Sequence, residues 1–194
     1  MKTIRAFVAV PLPDQVVGEL RTVQHELKRR VPNRSVRWVH PESIHLTLKF
    51  LGDTPEEKLI GVKKGLTAIA HNAPPFDLSI GGLGCFPNPD NARVLWVGVE
   101  EPTGCLEIMH RAIEEVMETL GYERERRDFH PHLTIGRVRR RTRRGERRRI
   151  GDIVSSRPES KLADITADHF ELIQSVLKPT GAEYTTLHRF ELQG

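Results

Sequence analysis

Two four-residue segments, His45-Leu46-Thr47-Leu48 and His132-Leu133-Thr134-Ile135, carry side chains suited to acid–base chemistry. Residues two apart on a β-strand share a face, so each histidine and its threonine point one way and the apolar pair the other. Histidine is the side chain that exchanges a proton near neutrality without perturbation. Two imidazoles, each beside a hydroxyl, supply a base, an acid and donors for phosphoryl oxygens, which is what in-line attack on a phosphodiester needs. A lone His-x-Thr arises by chance about half a time in a chain of this composition, so the signal lies in the apolar-flanked pair.

The elements that must hold these segments can be read along the chain. Thr3–Val10 alternates as a strand, with Arg5 and Phe7 sharing a face opposite Ile4, Ala6 and Val8. That face can line a groove, with Phe7 either a base-stacking platform or a core residue. Pro13-Asp14 opens a helix with Val16, Leu20, Val23 and Leu27 on its apolar stripe, ending before Pro32. Strands follow at Val36–Val39 and Ile44–Phe50. Thr54-Pro55-Glu56-Glu57 reads as a capped helix start, the helix running to Ala70. Phe76–Phe86 and Ala92–Val99 read as strands joined by the turn Pro87–Asn91. Pro102-Thr103 opens a third helix that Gly121 caps. His132–Val138 is the second motif strand, Arg147–Ser156 a short helix, and Ile165–Leu177 with Tyr184–Leu192 a closing hairpin turned by Lys178-Pro179-Thr180-Gly181.

The motif histidines stand 87 residues apart, and the order strand, long helix, His-x-Thr strand, helix, strand occurs twice. The expected fold is therefore α+β: one domain over residues 1–194 made of two duplicated lobes. A pseudo-two-fold axis relates the lobes, antiparallel sheets face a central groove, and helices pack on the outside.

A chain of 194 residues with 38% hydrophobic and 29% charged residues has the composition of an ordinary globular protein. No apolar run is long enough to cross a membrane, and the start of the chain is too short and too interrupted by Arg5 for a signal h-region. Cys85 and Cys105 make no disulfide framework and have no zinc-type spacing, which points to the cytoplasm. The net charge of +4 hides a sharp asymmetry. Nine arginines and one glutamate between Arg137 and Arg149 give a local +8 and leave the remainder at −4. Clustered arginine beside a phosphate site points to an RNA backbone.

Paired H-x-T-x motifs in a duplicated α+β chain resemble the 2H phosphoesterase superfamily, and within it the RNA 2′,3′-cyclic phosphodiesterase, or 2′-5′ RNA ligase, family. The resemblance spans nearly the whole chain, including Arg5-Ala6-Phe7-Val8-Ala9, Trp38, His45–Gly52, Arg93–Gly98, Phe129–Arg137 and Gly181-Ala182-Glu183-Tyr184. It implies metal-free hydrolysis of a terminal 2′,3′-cyclic phosphate on RNA to a 2′-phosphate, with no cofactor. It assigns His45 as proton donor, His132 as proton acceptor and Arg137 as a phosphate clamp. Thr47 and Thr134 are placed to donate to non-bridging oxygens. Strict alternation turns Arg137 away from His132 and Thr134, so the clamp requires a bulge, for which Gly136 is a suitable place. The expected partners are RNA ends, tRNA fragments among them, acted on by a monomer. The arginine tract after Arg137 is not part of the family pattern.

Two rival readings carry their own chemistry. Asp128, His130 and His132 have the spacing of a strand-borne metal site, though such a site gives His45 and Thr47 no role. A non-catalytic RNA-binding module would use the arginine tract but leave the His-Thr pairing unexplained. Ligation, the reverse reaction, would run through the same residues.

Overall fold

Apolar alternation forms the first strand, β1 (Thr3–Val10). Its Ile4, Ala6, Val8 and Val10 enter the main core, while Phe7 and Ala9 face the other way and meet Ile173. The computed structural model describes residues 2–157, 160–178 and 181–194. The chain continues through α1 (Asp14–Arg30), β2 (Val36–Trp38), β3 (Leu46–Pro55), α2 (Leu59–Asn72), β4 (Phe76–Phe86), β5 (Val94–Glu100) and α3 (Cys105–Thr119). It ends with β6 (His132–Val138), α4 (Arg144–Ser155), β7 (Lys161–Ala167), β8 (His169–Lys178) and β9 (Gly181–Glu191).

The strands pair antiparallel in the order β7-β4-β5-β6-β3-β1-β8-β9, with β2 on β6. The motif strands β3 and β6 meet at the centre through one pair, Leu46 with Leu133. Outward from that pair run two arms of four strands, β3-β1-β8-β9 and β6-β5-β4-β7. Each arm is built on a matching unit, β1-α1-β3 in one and β5-α3-β6 in the other. Two strands change arms: β4 follows α2 but pairs with β5, and β8 follows β7 but pairs with β1. This is the α+β, two-armed antiparallel arrangement implied by the repeat, with its halves interleaved rather than sequential.

Helices cover one face. Val16, Leu20, Val23 and Leu27 of α1, Val62 and Leu66 of α2, and Leu106, Met109, Ile113 and Met117 of α3 join the inward strand residues in one core. Leu46 and Leu133, both 0% exposed, anchor the central pair from that side, each burial stabilising by about 1.5–3 kcal/mol.

Local details depart from the sequence reading. Thr54 does not cap a helix: it is buried in β3, paired with Ile4, and α2 begins only at Leu59 after a short 3-10 turn. Strand pairing with β1 outcompetes the capping signal. Ile165–Leu177 is two strands, β7 and β8, broken at Asp168 because they belong to different arms. The last helix starts three residues before the expected Arg147. Gly121 takes the left-handed conformation (φ 82°) that ends α3, as expected. Residues 179 and 180 of the expected hairpin turn lie outside the described residues.

Candidate active site

His45 and His132 are held by the same device. The Nδ1 of His45 lies 3.0 Å from the carbonyl oxygen of Ser43, and that of His132 lies 2.7 Å from the carbonyl oxygen of His130. A carbonyl only accepts, so each Nδ1 carries the hydrogen and each Nε2 is left with a free lone pair. The partner carbonyl is two residues upstream in both cases, so the anchor is part of the repeated unit. Because Leu46 faces Leu133 across the strands and both side chains point into the core, His45, Thr47, His132 and Thr134 project from the opposite face. Extending that register one residue each way sets His45 opposite Thr134 and Thr47 opposite His132. The histidines then lie on a diagonal, which in a regular ladder spans about 7–8 Å.

Each motif also ends in a bulge. The pairing of β1 with β3 jumps from Ala9–Thr47 to Val8–Lys49, leaving Leu48 extra; that of β5 with β6 jumps from Trp96–Thr134 to Leu95–Gly136, leaving Ile135 extra. A bulge inverts the alternation beyond it. Arg137 accordingly turns to the groove face, and its charge acts on both His132 and Tyr184. The bulge required for an Arg137 clamp is present, at Ile135 rather than Gly136. Gln24 of α1, 1% exposed, secures it: the Nε2 donates to the carbonyl of Ile135 at 2.8 Å and to that of Val39 at 2.7 Å. In the other arm the same inversion points Phe50 outward and sends Lys49 into the core. Phe50 and Arg137 thus hold equivalent positions, each five residues beyond its histidine.

Aromatic rings wall both histidines. Phe7 stacks on His45 at 4.6 Å and Tyr184 meets its edge at 5.3 Å. Phe86 meets the edge of His132 at 5.0 Å and Trp96 lies 6.4 Å away. Trp96 lies flat over Gly84, where a Cβ would come within 2.1 Å of the indole. Burial draws the His45 pKa down to about 4, against a smaller opposing effect of the Ser43 carbonyl. Burial also lowers that of His132, with the charges of Arg137 and His130 acting in the same direction. Both rings are therefore neutral near pH 7 in the free protein.

Of the residues singled out from sequence, His45, Thr47, His132, Thr134 and Arg137 share this face. Arg5 is exposed and near enough to act on Tyr184. Phe7 faces the groove but is 2% exposed beneath His45, so of its two readings the core residue holds and the open stacking platform does not. Phe50, 64% exposed and 6.0 Å from Phe7, offers the free ring instead. Sequence reasoning missed Phe50, Gln24, Phe86 and Arg37. Arg37 pairs with Arg137 across β2 and β6, and its charge also reaches Tyr184. Only the bulges, invisible to a period-two reading, would have revealed Phe50. Asp128, His130 and His132 do not converge: among the described residues no three His, Cys, Asp or Glu side chains cluster in a way that could hold a metal ion.

Comparison with known proteins agrees with this geometry. Residues 10–96 match the family described as LigT like Phosphoesterase. The RNA 2′,3′-cyclic phosphodiesterase of Archaeoglobus fulgidus is 36% identical over 97% of this chain and 100% of its own length. That of Methanothermobacter thermautotrophicus is 34% identical over 97% of this chain and 99% of its own. A Thermus thermophilus protein of solved structure superposes with a TM-score of 0.78 at 30% identity, covering 98% of this chain and 99% of that one. Escherichia coli LigT, solved with 3′-AMP, shares the fold with a TM-score of 0.74 at 24% identity, over all of both chains. With both histidine motifs on facing central strands and relatives matching from end to end, this chain belongs to the LigT-like phosphoesterase family.

Proposed function

We propose that this protein hydrolyses the terminal 2′,3′-cyclic phosphate of RNA to a 2′-phosphate, using two histidines and no metal. The observation that carries the reading is the pair of Nδ1-anchored imidazoles flanking the Leu46–Leu133 pair, each with Nε2 free. The names of the full-length relatives support the substrate.

In this mechanism the Nε2 of neutral His132 takes a proton from water as the water oxygen bonds to phosphorus. The bond from phosphorus to O3′ breaks, and the Nε2–H of protonated His45 delivers a proton to the departing O3′. Each transfer contributes about 10²–10⁴-fold. Thr47 and Thr134 donate hydrogen bonds to the non-bridging oxygens, and Arg137 opposes their charge. Solvent then returns the histidines to their starting states. Phe50 offers its ring to the base of the terminal nucleotide, and Phe7 braces His45 from below. With an RNA 5′-hydroxyl in place of the water, the same residues would serve ligation.

The functional unit is residues 1–194, one domain of two duplicated lobes. It acts as a monomer, since one chain supplies both histidines, on RNA ends such as tRNA fragments in the cytoplasm. Incubation with a 2′,3′-cyclic nucleotide in excess chelator tests the reading, with the product isomer identified. The expected product is the 2′-phosphate, lost in His45→Ala and His132→Ala. A 3′-phosphate product, or activity abolished by chelation, would refute it. Retained RNA binding with no turnover in wild type would favour the non-catalytic module.

A further inference from the structure

Of the nine arginines between Arg137 and Arg149, the proposed mechanism uses Arg137 alone. The others are not on a loose tether. Beyond β6 the backbone N–H of Arg139 donates to the Ser35 carbonyl at 2.8 Å, and the buried Thr142 hydroxyl donates to the same oxygen at 3.2 Å. The next helix, α4, seats Ile150 and Val154 in the core. Its Gly151 lies so close to the turn after β4 that a Cβ would come within 2.0 Å of the Pro89 oxygen. Arg147 binds Asn91 Oδ1 at 3.2 Å and the Arg140 carbonyl at 3.0 Å. That turn follows Phe86, the ring against His132, so the tract is fastened to one wall of the cleft.

Two features set its exposed arginines apart. Among the described residues, six of the thirteen arginines outside residues 137–149 pair with acids, as in Arg111–Glu107, Arg124–Glu118, Arg157–Glu26 and Arg189–Glu191. Within residues 139–149, among the described residues, only Arg148 does so, with Asp90 at 3.6 Å. The charges also crowd the wrong end of a helix. Arg143 precedes α4, and Arg144, Arg147 and Arg148 occupy its start, where the positive end of the macrodipole repels them. Glu146, accepting from the Arg143 N–H at 3.0 Å, is the sole acid there. A merely solvated face gains nothing from that placement, whereas a bound polyanion relieves both repulsions at once.

We propose that the exposed arginines of residues 139–149 hold the phosphate backbone of the RNA upstream of its cyclic end. A 2′,3′-cyclic phosphate closes the 3′ end of a chain, so the rest of the substrate leaves the cleft on the 5′ side with one charge per nucleotide. Arg37 and Arg137 lie at the cleft end of the basic track, which runs on to the start of α4. The inference rests on the RNA phosphodiesterase reading and makes polynucleotides, not nucleotides, the preferred substrate.

The test compares the full-length wild type with the variant R140Q/R143Q/R144Q/R149Q on two substrates. One is a 2′,3′-cyclic mononucleotide; the other is a single-stranded RNA of roughly twenty nucleotides ending in a cyclic phosphate, longer than typical single-strand sites. KM for the RNA should rise on the order of tenfold or more, while both constants for the mononucleotide stay unchanged. The slope of log affinity against log salt should shrink by about 0.7 for each phosphate that the variant no longer neutralises. The matching four-lysine variant should keep most RNA affinity, which a fold defect would not permit. Equal loss on both substrates, an unchanged RNA KM and salt slope, or tight binding to anionic phosphatidylserine vesicles with no effect on RNA would overturn the proposal. If wild type fails on the mononucleotide, the catalytic reading falls; RNA affinity, read by fluorescence anisotropy, still decides this one.

Discussion

Occupying the cleft with a phosphate should bring His45 back into the titrating range. Burial holds its pKa at about 4, so at pH 7 only about one free molecule in a thousand carries the proton the proposed donor needs. A phosphate charge about 4 Å from the ring, at an effective dielectric near 20, interacts by about 4 kcal/mol. At 1.36 kcal/mol per unit, that raises the pKa by about 3 units, toward neutrality. In the proposed mechanism the substrate thus supplies the field that charges its own proton donor. Imidazole NMR titration with and without a nucleoside 2′-phosphate measures this, with His45→Asn assigning the resonance. The free protein should titrate His45 far below the ordinary histidine value of about 6.5, and the phosphate complex should titrate it well above the free protein's value. The stability consequence has a definite sign. Because the folded-state pKa is depressed, the unfolded chain binds the proton more readily, so stability falls as pH drops from the unfolded value of about 6.5 toward the folded value of about 4. Likewise kcat/KM, which reports the free enzyme, should peak at lower pH than kcat. A His45 resonance titrating near 6.5 in the free protein, or one unmoved by ligand, would refute the reasoning.

Four substitutions test the scaffold around the histidines. Thr47→Val or Thr134→Val should lower kcat on the order of 10²-fold, less than loss of either histidine; an equal or greater loss would show that the hydroxyls do more than donate to phosphoryl oxygens. Gln24→Leu leaves the Val39 carbonyl without its donor and loosens the Ile135 bulge, so thermal unfolding should show about 1–3 kcal/mol of destabilisation and KM should rise through Arg137. Lys49→Met breaks a buried pair, in which Lys49 Nζ lies 2.7 Å from Glu114 Oε2 and 2.6 Å from the Glu123 carbonyl. Denaturant unfolding should show a loss of about 3–5 kcal/mol; a neutral result would mean that Glu114 is readily resolvated.

Much of the site was legible because its residues sit next to one another in sequence. His45 with Thr47 and His132 with Thr134 need only extended backbone to share a face; β6 forms where alternation places it, while β3 starts at Leu46, just after His45, and runs on to Pro55 rather than ending at Phe50. What resisted reading depends on a partner strand. Arg137 and Phe50 reach the groove through bulges, and a bulge is a mismatch between two strands, not a property of one. Phe7 illustrates the complementary case: its face was legible, but which of its two readings held depended on His45 and Tyr184 arriving from distant segments. Thr54 had the local chemistry of a cap and lost to the ladder with β1.

By itself the amino-acid sequence determined the candidate acid–base side chains, the repeated order of elements that carries them, the strand face they share and the concentration of charge after Arg137. Period-two alternation and residue chemistry are local, so they survive without coordinates. Only the tertiary structure decided that β4 and β8 exchange arms, that two carbonyls leave both Nε2 atoms free, and that the rings are buried enough to be neutral at rest. Those outcomes arise from desolvation and register, which exist only once segments far apart in the chain have been packed against each other.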